Sequence, residues 1–162
     1  MIDSMEIKAL GPSDAHLAKE LVSLGAASWA VTLSQAQIEE RAVKLAQEIT
    51  SADQAARAIF VAVMSGRLVG ACRVAQDRKD ASQWLLLGLA VHPDHRRQGF
   101  ATALVKACID YARERGASAI RSETHVENRA SIRLHESIGF ENVGPFTAAD
   151  GDKKIAFRMV LS

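Results

Sequence analysis

Arg96, Arg97 and Gly99 stand in a short polar turn, Val91-His92-Pro93-Asp94-His95-Arg96-Arg97-Gln98-Gly99-Phe100-Ala101-Thr102, between an apolar strand pattern and an amphipathic helix pattern. That arrangement has the chemistry of an anion site. The first turn of a helix carries unpaired N–H groups and the positive end of the helix dipole. A glycine there lets the backbone approach a phosphate closely, and a small residue such as Ala101 keeps the helix start open. Arg96 and Arg97 add charge, and the stretch His95–Arg133 carries eight Lys+Arg against four Asp+Glu. An ordinary solvated turn before a helix would look the same, so residue types alone leave both readings open. A GxxxxGK[ST] phosphate loop and a GxGxxG dinucleotide motif are both missing from the sequence, which argues against those two nucleotide folds.

Other titratable residues carry weaker signals. Glu123 and His125 lie two apart in a strand-like run, which places them on one face. Each also fits a solvated strand position. His92 and His95 flank the Arg-Gly turn and read as surface residues, as does His16. Asp150-Gly151-Asp152 is followed by Lys153 and Lys154, which suits a hairpin turn and not a calcium loop. Cys72 and Cys108 sit 36 residues apart in apolar stretches without metal-type spacing, and read as buried reduced thiols. No metal site is expected. Trp29 and Trp84 read as core anchors, although Trp29 also suits the wall of a pocket.

The elements that must position these residues follow from periodicity. Met5–Leu10 reads as a strand ended by Gly11-Pro12. Ser13 or Asp14 is expected to cap a helix through Leu17, Leu21 and Leu24, and Ser34 a second helix to about Ile49. Ala58–Met64 and Leu68–Ala75 read as a hairpin turning at Ser65-Gly66-Arg67. Trp84–Val91 is a third strand, with Gly88 marking a bulge. Ala101, Leu104, Val105, Cys108, Ile109 and Ala112 fall on one helical face, closed by Gly116. Ser118–His125 reads as a strand and Asn128–Ser137 as a short helix ended by Gly139. Phe140–Gly144 and Lys153–Leu161 complete the chain as strands. The order β-α-α-β-β-β-α-β-α-β-β predicts one domain over residues 1–162 with a mixed α/β sheet of about seven strands and about four helices.

Composition narrows the functional classes. The 162 residues hold 20 Lys+Arg and 19 Asp+Glu, and 48% are hydrophobic. That is too apolar for disorder and too balanced for a nucleic-acid binder that relies on bulk charge. The basic stretch also lacks interleaved aromatics, so no nucleic-acid partner is expected. The longest strictly apolar runs, Ala58–Met64 and Trp84–Leu87, are far short of the roughly 20 residues that a membrane helix needs. The N-terminal residues lack a basic segment followed by an apolar one, so a cytoplasmic location is expected.

Two motifs together resemble the GNAT N-acetyltransferase superfamily. Arg96-x-x-Gly99-x-Ala101 matches its Q/R-x-x-G-x-G/A signature. Asn128-x-x-Ser131-Ile132-x-Leu134-His135-Glu136-x-x-Gly139-Phe140 matches the segment that follows it. The resemblance is strong over about Trp84–Gly144, and the element order extends it over the chain. It implies a mostly antiparallel, splayed sheet, acetyl-coenzyme A as donor and a primary amine as acceptor. It implies that Arg96, Arg97, Gln98, Gly99, Phe100, Ala101 and Thr102 hold the pyrophosphate. Leu89, Ala90 and Val91 would pair with the pantetheine like a sheet edge, and a backbone N–H there would serve the oxyanion. Asn128, with Ser131, would bind the pantetheine arm. Glu123 is the implied general base, as in some peptide N-terminal acetyltransferases. Many members carry Tyr where this sequence has His135. That departure resembles the phosphinothricin/methionine sulfoximine-type branch. It leaves His135 either as the acid for the leaving thiolate or as a packing residue on the cofactor arm. A small amino-acid-like amine is the expected acceptor. The alternatives are a protein N-terminus or lysine, an aminoglycoside, or a non-catalytic acyl-CoA-sensing module. A homodimer is expected from the resemblance.

Overall fold

The computed structural model describes residues 5–51 and 55–161. Met1–Ser4, part of the stretch read for a leader, lies outside the described residues. Seven strands form one sheet: β1 (Met5–Ala9), β2 (Arg57–Met64), β3 (Arg67–Gln76), β4 (Gln83–Val91), β5 (Ala119–His125), β6 (Glu141–Thr147) and β7 (Lys153–Val160). Their order across the sheet is β1-β2-β3-β4-β5-β7-β6. Four α-helices accompany them: α1 (Ala18–Ser28), α2 (Gln35–Thr50), α3 (Phe100–Glu114) and α4 (Arg129–Ile138). The mixed α/β expectation agrees with this in element order and count. None of the described helices is long and apolar enough to cross a membrane.

Local chemistry accounts for most element ends. The Ser34 hydroxyl accepts from the Gln37 N–H at 3.1 Å, and the Gln37 side chain accepts from the Ser34 N–H at 2.9 Å. This reciprocal box satisfies two donors at the start of α2. The β2–β3 turn is tighter than expected. Only Ser65 and Gly66 lie between the strands, both at positive φ (51° and 75°), the conformation that matches the strand twist. The first helix departs from expectation. Pro12–Leu17 forms a 3-10 segment and the α-helix starts at Ala18. Asp14 does not cap from outside; its carboxylate accepts the Gly11 N–H from within the first turn at 2.7 Å. Pro12, with φ already fixed, starts that turn one step earlier.

Two cores lie on opposite faces of the sheet. On one, α3 buries Phe100, Leu104, Val105, Cys108, Ile109 and Ala112 against Cys72, Val74, Trp84, Ile120 and Phe157. On the other, α1 and α2 pack Leu21, Leu24 and Ile49 against Val61 and Ala71. Cys72 and Cys108 are free and buried as expected. The Cys108 thiol is pushed up by its hydrogen bond with Cys72 and by burial, so it stays protonated and inert. Trp84 is fully buried, whereas Trp29 is 59% exposed and is not a core anchor.

Candidate active site

Five of the six neighbouring strand pairs run together over most of their length, and the exception makes the cleft. β4 and β5 run parallel and pair only at Gln83–Ala119, Trp84–Ile120 and Leu85–Arg121. Beyond Leu85 the two strands part. A bulge in β4 drives the separation: Leu87 faces Arg73 and Ala90 faces Ala71, so Gly88 and Leu89 together stand opposite Cys72. Gly88 has φ +61°, and a Cβ there would lie 3.3 Å from the Arg73 Nε. Glycine is needed for the conformation and for the guanidinium lying over it.

The far end of β4 leads through a 3-10 turn (Pro93–His95) to the start of α3. Arg97 adopts φ +62° and Gly99 φ +85°, which turns the backbone so that successive N–H groups face one concavity. α2 and α4 have side-chain caps, Ser34 and Asn128, whereas α3 has none. Like α1, α3 thus starts without a side-chain cap, and a Cβ at Gly99 would meet nothing within 4 Å. Arg97, Gln98 and Gly99 are exposed, and Ala101 and Thr102 are half-buried. Phe100 is buried, so it offers the cradle only its backbone. This arrangement fits a pyrophosphate.

Arg96 does something the sequence does not announce. Its guanidinium donates to the Ser28 carbonyl at the end of α1, and the Ser28 hydroxyl accepts from the Val91 N–H at 3.1 Å. Ser28 therefore ties α1 to the end of β4 and to the cradle. No sequence pattern pointed to it, because the contact joins residues 68 apart. His92 and His95, expected at the surface, are half-buried instead; His95 sits edge-on to Phe100 with ring centroids 6.2 Å apart.

Glu123 and His135 lie on opposite sides of β5. Arg121, Glu123 and His125 are exposed on one face, and Ser122 and Thr124 turn to the other. The Glu123 carboxylate accepts from the Lys154 ammonium at 3.0 Å. That contact raises the Lys154 pKa against the opposing effect of burial, with lesser help from the charges of Asp150 and Asp152. Arg121 pairs with Asp77, and His125 lies 3.9 Å from Asp152.

His135 is 4% exposed. It stacks on Phe157 at 4.4 Å and meets Phe140 edge-on at 5.1 Å. Its Nδ1 is 2.7 Å from the Ser131 carbonyl and its Nε2 2.8 Å from the Ser122 hydroxyl. A carbonyl only accepts, so Nδ1 carries the proton of the neutral ring and Nε2 accepts from Ser122. Burial lowers the His135 pKa, opposed by the Ser131 carbonyl. Both nitrogens are thus engaged inside the fold. The ring lies between the Phe140 and Phe157 rings. Asn128 caps α4, its side-chain oxygen accepting from the Ser131 N–H at 3.1 Å, which leaves its amide NH2 outside that bond. Asp150-Gly151-Asp152 forms the β6–β7 turn, and among the described residues no cluster suits a metal ion.

Comparison with known proteins decides the family. The profile of the Acetyltransferase (GNAT) family matches residues 21–140. The chain belongs to the GNAT acetyltransferase family. Among its relatives is the N-alpha-acetyltransferase 30 of Schizosaccharomyces pombe, 37% identical over 83 residues, covering 50% of this chain and 55% of that protein. Another is the ribosomal protein bS18-alanine N-acetyltransferase of Escherichia coli K12, 42% identical over 55 residues, covering 34% of this chain and 37% of the relative. The chain therefore spans about half the length, or less, of the curated relatives it matches. A solved GNAT-fold structure, the PaiA N-acetyltransferase of Thermoplasma acidophilum in complex with coenzyme A, superposes with a TM-score of 0.72 at 20% identity, covering 94% of this chain and 98% of that one.

Proposed function

We propose that this protein transfers the acetyl group of acetyl-CoA to an α-amino group, with a peptide or protein N-terminus as acceptor. One observation carries the reading: the parted β4 and β5 run from an uncapped helix start to a carboxylate on the acceptor side. Such a groove suits a ligand with a pyrophosphate at one end and a reactive thioester at the other. Two of the relatives are named as an N-alpha-acetyltransferase and a ribosomal-protein alanine N-acetyltransferase, which supports the acceptor class. The small amino-acid-like acceptor was argued from His135, and a buried His135 on the other face of β5 says nothing about the acceptor.

In this reading the backbone of Arg97–Thr102 binds the pyrophosphate, with the Arg96 charge beside it. The Val91 N–H faces the open edge of β4, where Ser28 meets it. The Leu89 N–H lies in the β4 bulge, out of the regular ladder with β3. There it donates to the oxygen that becomes negative when the amine adds to the thioester carbonyl. Glu123 takes the proton that the amine must lose as it adds to the thioester, directly or through one water. The C–S bond then breaks, and the thiolate leaves and is protonated by solvent. His135, locked to Ser122 and Ser131, fixes α4 against β5 and so fixes where Glu123 stands.

Thiol release from acetyl-CoA with a panel of amines tests this: an N-terminal peptide, a lysine peptide, methionine sulfoximine and phosphinothricin. Turnover is expected with the free N-terminus. Tight CoA binding with no thiol release above hydrolysis for any amine would replace the enzyme with an acyl-CoA-binding module. Replacing Glu123 with Gln should lower kcat/KM about 10²-fold; an unchanged pH–rate profile removes Glu123 as base.

A further inference from the structure

The Lys154–Glu123 pair has the form of an enzyme–acceptor contact made within the chain. A general base must lie about 2.6–3.2 Å from the group whose proton it takes, and the Lys154 Nζ lies 3.0 Å from the Glu123 Oε1. Lys154 is not a free surface side chain. It projects from β7, next to β5 in the sheet, and its side chain is only 21% exposed against 50% for Glu123. The other charges around Glu123 are already committed. Arg121 is paired with Asp77 and His125 faces Asp152. The Glu123 hydrogen bond first, and the charges of Asp150 and Asp152 to a lesser degree, favour the charged form of Lys154.

Resting on the acetyltransferase reading above, we propose that Lys154 occupies the acceptor-ammonium position on Glu123 and thereby selects against ε-amine acceptors. An incoming lysine side chain would have to displace a chemically identical ammonium that is tethered in place. Tethered groups act at effective concentrations of about a millimolar or more. An α-amine differs, because its ordinary pKa is about 7.7–8.0 against about 10.4 for lysine. A sizeable fraction of it is neutral near pH 7.5, so it can approach without exchanging one ammonium for another. This is selectivity by an element that disfavours the wrong substrate.

The test compares two synthetic peptides with acetyl-CoA, by thiol release and by mass of the product. One has a free N-terminal alanine and no lysine; the other is N-acetylated with a single internal lysine. The readout is the ratio of their kcat/KM values, in the wild-type chain, Lys154→Met and Lys154→Arg, each checked for an unchanged thermal midpoint. Met is expected to shift the ratio toward the lysine peptide at least tenfold, mainly through a lower KM for that peptide, and Arg to keep the wild-type ratio. A wild-type enzyme active on the alanine peptide whose ratio is the same in Lys154→Met overturns this inference alone. No transfer to either peptide by the wild-type chain overturns the acetyltransferase reading, and this inference with it.

Discussion

Placing an aspartate at position 99 is the sharpest test of the cradle. Gly99 sits at φ +85° with nothing within 4 Å of a built Cβ. The cost to the fold is therefore conformational and not steric, about 1–2 kcal/mol for a non-glycine residue in the left-handed region. A carboxylate at a helix start returns about 0.3–1 kcal/mol of that through the helix dipole. The fold should thus lose about 1 kcal/mol. Ligand binding should suffer much more. Two unit charges about 5 Å apart at an effective dielectric near 20 repel by about 3 kcal/mol. Exposure and salt reduce this to about 2 kcal/mol, which is roughly 30-fold in Kd for each phosphate charge. Against a pyrophosphate the loss should be between about 10² and 10³. Gly99→Asn is the partner variant, since Asn tolerates the left-handed region and brings no charge. Calorimetric titration of CoA into the three proteins gives the answer. Asn should bind within about tenfold of the parent and Asp far outside it. An Asp variant that binds CoA as tightly as the parent would show that no pyrophosphate lies at the start of α3.

His135 makes stability depend on pH. Burial lowers its pKa, so the fold favours the neutral ring. The stability it lends is complete above the unfolded value near 6.5 and is lost as pH falls through the lower folded value. Thermal midpoints should drop across that acidic window, and Phe at position 135 should flatten the drop; an unaltered slope would contradict the assignment. At Gly70 in β3, a Cβ would lie 2.9 Å from the Leu104 Cδ1 and 3.3 Å from the Ala90 carbonyl oxygen. Gly70→Ala should cost about 1–3 kcal/mol in chemical denaturation, and a neutral result would mean that α3 yields more easily than its packing implies.

What the sequence showed and what it hid divide along a physical line. Features encoded within one turn or one period were legible. Ser34 caps α2 because its oxygen reaches the N–H group three residues on. The face from Leu104 to Ala112 is buried because its spacing is helical. Contacts set by how elements meet were not legible. The Lys154–Glu123 pair joins residues 31 apart through the β5–β7 pairing. The burial of His135 depends on how α4 is rotated toward Phe140 and Phe157. Motif spacing carries no information about that rotation. Trp29 is large and apolar, yet it follows the last turn of α1 and stays outside both cores.

β5 shows how closely packing and chemistry are bound together here. Successive side chains alternate across a strand, so a shift of one residue exchanges the two faces. Ser122 and Thr124 face inward, and Ser122 is fastened to a buried imidazole that is itself stacked on Phe157 of the neighbouring strand. Glu123 faces the other way and meets Lys154 from that same neighbouring strand. The inward bond therefore sets the register of the outward carboxylate. Slipping β5 by one position would put a charge among aromatic rings and a serine where the base should be, and burying that unpaired charge is costly. The cleft, for its part, depends on backbone form more than on side chains: a bulge at Gly88 and left-handed turns at Arg97 and Gly99. In the proposed reaction, a base held by register beside a cleft made by backbone irregularity would leave Lys154, which meets Glu123, to set which amine is accepted.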